Sequence, residues 1–143
     1  MFKTIVVGTD GSDTADRAVN RAAELAALTG ADLHLVSAYR QAPVRVGDGS
    51  VAEAPDWFVG GDYKADAALQ RTIARLRGKG ISIDEHAPKG DPADAIVAVA
   101  VRENADLIVL GSKGMHGKGR LLGSVPNKVS HQAPCDLLIV HTA

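Results

Sequence analysis

Five short apolar runs, separated by segments with helical periodicity, constrain the fold of this chain most strongly. The runs cover residues 4–8, 32–39, 81–87, 106–110 and 136–140, and several are rich in β-branched residues. Continuous apolar runs of this length, bounded by glycine and aspartate, are typical of strands that are covered on both faces. Strands that alternate with helices form parallel sheets. The pattern therefore predicts an α/β fold in three layers, with crossover helices on both faces of a parallel sheet.

The segments between the runs have the spacing of amphipathic helices. Ser12 or Asp13 can cap a first helix that ends near Gly30. Its apolar face repeats at three- and four-residue spacing and consists of Ala15, Ala18, Val19, Ala22, Ala23 and Ala26. Further helices are predicted over 63–77, from Pro92 onward and over 125–132.

Residues 40–62 form the least regular part of the chain, with several glycines and prolines. A loop of this length inside a compact domain is usually functional or mobile. Trp57 and Phe58 lie within it. Two interpretations stay open: they anchor the loop to the core, or they form a lid or a partner-binding patch.

Composition excludes several classes of protein. The 143 residues are 45% hydrophobic and 23% charged, with a formal net charge of −1, as expected for one globular domain over 1–143. Nucleic acids and anionic membranes normally need a broad basic face, so neither is expected as a partner. Cys135 is the only cysteine, so no intrachain disulfide can form, and no apolar stretch has the length of a membrane span or signal peptide. We therefore expect a cytoplasmic protein.

The segment from Gly111 to Val125 combines glycines with positive charge. No Asp or Glu occurs from 107 through 135, whereas the four cations Lys113, Lys118, Arg120 and Lys128 lie within those residues. Backbone amides in a glycine-rich turn that leads into a helix form a nest for phosphate oxygens, to which the Ser124 hydroxyl adds a donor. The segment predicts an anion site at the end of a strand; the alternative is a flexible connection with incidental lysines.

Known phosphate and nucleophile motifs do not fit this segment. A Walker A loop has four residues between its first glycine and Gly-Lys-Ser/Thr, but five residues separate Gly111 from Gly117, and Lys118 is followed by Gly119. Gly-x-Gly-x-x-Gly and Gly-x-Ser-x-Gly are also absent. Cys135 directly precedes a predicted buried strand, where a packing role is favoured over nucleophilic catalysis. No catalytic residue is predicted.

Other polar residues leave alternatives open. Asp10 follows the first predicted strand and either accepts hydrogen bonds from ribose hydroxyls or caps a turn; Thr9 and Ser12 have the same two interpretations. The five histidines, at 34, 86, 116, 131 and 141, show no metal-ligand spacing. We therefore expect no metal site built by the protein alone.

Several blocks of the sequence resemble the universal stress protein family over nearly the whole chain. They are Val-Gly-Thr-Asp-Gly-Ser at 7–12, Gly-Asp-Pro-Ala-Asp-Ala-Ile at 90–96, Ala-Asp-Leu-Ile-Val-Leu-Gly-Ser-Lys-Gly at 105–114, Leu-Leu-Gly-Ser-Val-Pro at 121–126 and Ala-Pro-Cys-Asp-Leu-Leu-Ile-Val at 133–140. The resemblance implies a Rossmann-like, adenine nucleotide alpha hydrolase-like fold with a five-stranded parallel sheet in the order 3-2-1-4-5.

In the nucleotide-binding branch of that family, a Gly-x-x-Gly followed by Gly-Ser/Thr holds ATP. The resemblance places Asp10 at the ribose and Ala38 beside the adenine. The implied nucleotide-binding residues are Thr9, Asp10, Ala38, Gly111, Lys113, Gly114, Gly123, Ser124 and Val125. Between Gly114 and Gly123 this chain has eight residues where the family usually has nine, which leaves the γ-phosphate contact open and with it the choice among ATP, AMP and cyclic AMP.

The leading functional hypothesis is a stress-response protein that binds one of these adenine nucleotides as a regulatory ligand, with Mg²⁺ accompanying a triphosphate. One alternative is an enzyme that slowly hydrolyses ATP or transfers phosphoryl groups at the same site. Another is an interaction module without nucleotide. The resemblance also implies a homodimer formed through the last strand, from Leu137 to Val140.

Overall fold

The computed structural model describes residues 1–37, 63–112 and 124–142, together with 44–45 and 51–52. In chain order the elements are β1 (Thr4–Gly8), α1 (Asp13–Thr29), β2 (Asp32–Val36), β3 (Val44–Arg45), β4 (Val51–Ala52), α2 (Tyr63–Gly78), β5 (Ile83–His86), α3 (Pro92–Arg102), β6 (Leu107–Gly111), α4 (Ser124–Gln132) and β7 (Asp136–Val140). The predicted alternation of strands and helices is confirmed.

A five-stranded parallel sheet forms the centre of the molecule. Its order is β5-β2-β1-β6-β7, which is the 3-2-1-4-5 order implied by the family resemblance. The chain leaves β1 toward one side to form β2, and it returns to the other side of β1 at β6. The strand order therefore reverses between β1 and β6, the place where open sheets of this kind bind ligands.

Each face of the sheet has its own apolar core. On one face α1 and α2 pack against residues such as Ile5, Leu33 and Val109. On the other face α3 and α4 pack against residues such as Val6 and Ile108. All six positions predicted for the apolar face of α1 are buried, because their spacing places them on the side of the helix that faces the sheet.

Both well-defined helix starts use the residue type that capping requires. The Ser12 hydroxyl oxygen accepts a hydrogen bond from the backbone N–H of Ala15 at the start of α1. Asp91 caps α3 in the same way through the N–H of Asp94, with Pro92 in the first turn. These caps determine where both helices begin, and α1 ends at Gly30, whose φ of 74° is in the left-handed region.

Some boundaries differ from the prediction. Within 40–62, predicted to be irregular, β3 and β4 form a two-residue antiparallel pair; Trp57 and Phe58 lie outside the described residues. The strand predicted over 81–87 is shorter, Ile83–His86. In the described part of the chain, no helix has both the length and the apolar character needed to cross a membrane.

Candidate functional site

The carboxyl ends of β1 and β6 bring three predicted site residues to one edge of the sheet. Val7 of β1 pairs with Val109 of β6, and Thr9 and Gly111 each follow two residues later. Thr9 is buried, and its backbone N–H donates to the carbonyl oxygen of Val36 at 2.9 Å. Asp10 follows at the exposed rim of the same edge. The predicted juxtaposition of Asp10 and Gly111 across the reversal point is therefore present in the fold.

The turn between β1 and α1 holds Asp10 in place. One Asp10 carboxylate oxygen accepts from the backbone N–H of Ser12 at 2.9 Å, and the N–H of Gly11 donates to the Thr9 hydroxyl oxygen at 3.0 Å. Gly11 has φ 78°, a conformation that glycine adopts at low cost. The turn-capping role of Asp10 is thus confirmed. It leaves the side chain exposed at the sheet edge.

The end of β6 shows a second reason for glycine at position 111. A Cβ atom there would lie 2.9 Å from the Cγ2 methyl of Thr142, a side chain that is only 3% exposed. The next residue, Ser112, is also buried, and its hydroxyl accepts from the backbone N–H of Thr142 at 3.0 Å. From the sequence, the only reason for a glycine at 111 was the close approach of a ligand. The contact with Thr142 could not be predicted, because the two residues are far apart in the chain.

Helix α4 begins at the same end of the sheet as Gly111. Ser124 is exposed and Val125 half-buried at its first turn, whereas Pro126 and Val129 are buried. Of the predicted site residues, Ala38, Lys113, Gly114 and Gly123 lie outside the described part of the chain. The described elements at this end of the sheet are the β1 turn, the end of β6 and the start of α4.

Lys128 is one of the four positive charges in the acid-free segment 107–135, but its contacts are with another helix. Its ammonium lies 3.1 Å from a carboxylate oxygen of Asp91 and 3.1 Å from one of Asp94. Hydrogen bonds to Asp91 first, and then to Asp94, raise the pKa of Lys128 above its usual value. Lys128 therefore forms ion pairs with the two acids at the start of α3. The other three cations of the segment lie outside the described residues.

Cys135 lies half-buried beside the α3–α4 core. Desolvation first, and then the nearby carboxylates of Asp136 and Asp106, raise the pKa of its thiol. A raised pKa disfavours the thiolate, which is the nucleophilic form. The packing role predicted for Cys135 agrees with this environment.

The sequence analysis predicted no metal site built by the protein alone, and it missed a cluster of potential metal ligands. His34 on β2, His86 on β5 and Glu103 just after α3 have ligand atoms that all lie within 4.8 Å of one another. The two histidines are 52 residues apart in the chain, so no local spacing marks them. In the register of β2 against β5, Val36 pairs with His86. His34 precedes Val36 by two residues, so His34 and His86 lie on the same face of the sheet. Only this register shows that the two histidines are neighbours.

The two histidine rings are hydrogen-bonded to each other. His34 Nδ1 and His86 Nε2 are 3.0 Å apart, and Arg102 Nη2 lies 3.0 Å from His86 Nδ1. Desolvation, followed by the proximity of His34 and Arg102, lowers the pKa of His86 below 6.5. His86 and Arg102 also line a groove of about 560 Å³ bounded by residues 86–91 and one face of α3.

The family model described as the universal stress protein family matches residues 1–141. The chain is 42% identical over 149 residues to the universal stress protein Rv1636 of Mycobacterium tuberculosis, an alignment that covers 99% of this chain and 97% of that protein. A match of this extent to a curated relative leaves no large part of the chain outside the family alignment.

Two solved structures share the fold. One is a universal stress protein in complex with cAMP, 37% identical, with a TM-score of 0.73 and coverage of 99% of this chain and 98% of that one. The other is the universal stress protein from Archaeoglobus fulgidus in complex with dAMP, 26% identical, with a TM-score of 0.67 and coverage of 96% of each chain. Sequence, fold and strand order agree, and this chain belongs to the universal stress protein family.

Proposed function

We propose that this protein binds an adenine nucleotide at the carboxyl edge of the sheet, between the β1 turn and the 111–125 segment, as a regulatory ligand in a stress response. The observation that carries the proposal is the universal stress protein solved with cAMP, which is 37% identical and covers 99% of this chain. A second relative of the same fold was solved with dAMP.

The chemistry of those two ligands narrows the proposal. cAMP and dAMP share adenine and a single phosphate, and they differ in which sugar hydroxyl remains. A monophosphate is therefore the first ligand to test here. This choice agrees with the eight-residue spacing between Gly114 and Gly123, which removes one residue from the part of the motif that would reach a γ-phosphate. ATP with Mg²⁺ is the second ligand to test.

The described residues support the proposed position of the ligand. Asp10 is an exposed carboxylate held by the Ser12 N–H at 2.9 Å, and a carboxylate at this place can accept hydrogen bonds from a sugar hydroxyl. The amino end of α4, with Ser124 exposed, favours a phosphate because its N–H groups and dipole point outward. We propose that Lys113 and the glycines at 111, 114 and 123 contact the phosphate, and that the adenine lies near Ala38. Thr9 and Val125 are the remaining residues of the proposed site.

Calorimetric titration of nucleotide-free protein with cAMP, AMP and ATP, the last with and without Mg²⁺, tests the proposal. We expect one site per chain. Asp10→Asn keeps an oxygen for the Ser12 N–H but removes the charge, so we expect affinity to fall about tenfold, the effect of losing one charged hydrogen bond. Asp13→Asn is the matched control, since Asp13 is an exposed acid three residues away.

Gly114→Val tests the phosphate loop, and we expect it to abolish binding by filling the space beside the amides. Gly78→Val is its control, because a Cβ at Gly78 meets no atom within 4 Å. The proposal is refuted if the parent binds none of the three nucleotides, or if both Asp10→Asn and Gly114→Val bind as the parent does. Mass spectrometry of nucleotide released from the purified protein on denaturation identifies the natural ligand.

A homodimer through the last strand is also part of the proposal. β7 is an edge strand of the sheet, and its residues Leu137, Leu138 and Ile139 are only partly buried. An apolar edge strand is a ready surface for pairing with a second chain. We expect sedimentation analysis to show a dimer that Leu137→Lys dissociates, whereas Val101→Lys, at an exposed apolar position of α3, leaves it intact. A monomeric parent would contradict this assignment.

A further inference from the structure

Three side chains from separate elements converge beside the edge of the sheet. His34 is on β2 and His86 is on β5, and Glu103 is the residue that caps the end of α3. Their nearest ligand atoms lie within 4.8 Å of one another. His34 is buried, and the other two are partly buried. Since strands and a helix end hold all three, the cluster is placed by the fold and not by a loop.

Arg102 determines which ring nitrogens carry hydrogen. A guanidinium can only donate, so His86 Nδ1, 3.0 Å from Arg102 Nη2, must be an acceptor. His86 then carries its hydrogen on Nε2 and donates it to His34 Nδ1 at 3.0 Å. His34 in turn carries its hydrogen on Nε2. In this arrangement a lone pair of His34 Nδ1 points toward His86 Nε2, and each of the two histidines has a ring nitrogen within 4.8 Å of a Glu103 carboxylate oxygen.

The spacing of the two nitrogens suits a zinc ion. Two imidazole nitrogens bound tetrahedrally to zinc at about 2.0–2.1 Å are separated by about 3.3 Å. The observed separation is 3.0 Å, so the two nitrogens need to part by a few tenths of an ångström, and the rings need to turn so that both lone pairs converge on the ion. Two histidines and one glutamate form a known zinc ligand set, with a water molecule at the fourth position. The groove lined by His86 and Arg102 offers an entry path.

We propose that His34 Nδ1, His86 Nε2 and the Glu103 carboxylate bind a divalent transition-metal ion, Zn²⁺ in the first instance. Binding moves the His86 hydrogen from Nε2 to Nδ1, so no proton is released. Arg102 must then leave, because its N–H would face the new Nδ1–H. The Arg102 side chain is 62% exposed and also contacts Glu103, with Nε 3.3 Å from the carboxylate, so the ion and Arg102 compete for the same two ligands.

Asp84 is a further acid at this place. Its carboxylate lies 3.9 Å from His34 Nδ1 and is 66% exposed, beyond hydrogen-bonding distance. It adds negative charge to the neighbourhood of the ion without occupying a ligand position. This charge partly offsets the positive charge of Arg102.

Titration of metal-free, nucleotide-free protein with ZnCl₂, against a chromophoric chelator, tests the proposal. We expect one zinc per chain, and a loss of about 100-fold or more in affinity for His86→Gln and for Glu103→Gln. Arg102→Gln removes the competitor, so we expect it to bind zinc about tenfold more tightly, since the ion no longer has to break a hydrogen bond to a charged group. His141→Gln removes an exposed histidine outside the cluster and is expected to bind as the parent does. Far-UV circular dichroism verifies that each variant is folded.

The opposite effects of Arg102→Gln and His86→Gln make the test specific. Adventitious binding by surface histidines would respond equally to His141→Gln and His86→Gln, and that result overturns the proposal. It is also overturned if the parent binds no zinc, or if Arg102→Gln leaves the affinity unchanged or weaker. Because the titration contains no nucleotide, its result is independent of the function proposed above.

Discussion

Replacing Gly111 by alanine is expected to destabilise the fold through one contact. The new Cβ would lie 2.9 Å from Thr142 Cγ2, whereas its next neighbours, Thr142 Oγ1 and Ala18 Cβ, are at ordinary distances of 3.6 and 3.8 Å. Thr142 cannot rotate freely to relieve the contact, because its hydroxyl lies 3.3 Å from the Ser112 hydroxyl in a buried pair. Overpacking of this kind costs about 1–3 kcal/mol.

Thr142→Ser provides the matched rescue. Serine keeps the hydroxyl but lacks Cγ2, the atom that the new Cβ would meet. Alone, the loss of one buried methyl is expected to cost about 1 kcal/mol. In the double variant the close contact is gone, so its destabilisation should be smaller than the sum of the single effects by about 1 kcal/mol or more.

Urea denaturation measures the free energy of unfolding of the four proteins. In a thermal scan, Gly111→Ala should lower Tm by about 3–10 °C, as expected for a chain of this size. If the two substitutions add to within about 0.5 kcal/mol, the contact with Thr142 is not the reason for glycine at 111. A stable Gly111→Ala protein would refute the argument outright and leave ligand approach as the explanation.

Three other predictions follow from described contacts. Gly8→Ala places a Cβ 2.6 Å from Ile96 Cδ1 and 2.8 Å from Leu110 Cδ2, which should cost about 1–3 kcal/mol in urea denaturation. The cost should be smaller in an Ile96→Val background, which lacks Cδ1, although the contact with Leu110 remains; equal costs in both backgrounds would contradict this. Ser12→Ala should lower the free energy of unfolding by about 1 kcal/mol and Ser12→Gly by only a few tenths, and equal losses would argue against the cap. The Asp106 carboxylate accepts the N–H groups of Lys3 and Thr4 at 2.7 and 2.9 Å, which lowers its pKa below 3.8. Its stabilisation is therefore complete above that pH and is lost as pH falls through the folded pKa, so Asp106→Asn should be less stable than the parent at pH 7 and approach it in acid; a constant difference would refute this.

The candidate site was predictable to the extent that it depends on strand ends. Asp10 and Gly111 follow apolar runs, and the ends of parallel strands lie at one edge, so their juxtaposition required only the strand order. That order came from the family resemblance and is confirmed. The partners of Lys128 were not predictable, because Asp91 and Asp94 approach it only when α3 and α4 pack together.

The sequence by itself determined the type and approximate bounds of the helices and main strands, since apolar periodicity and capping residues act over a few neighbouring positions. It also determined which face of α1 is buried. The tertiary structure alone decided three features: the packing of Gly111 against Thr142, the pairing of Lys128 with the start of α3, and the convergence of His34, His86 and Glu103. Each depends on contacts between residues far apart in the chain, and strand register and helix docking set such contacts with no local pattern to mark them.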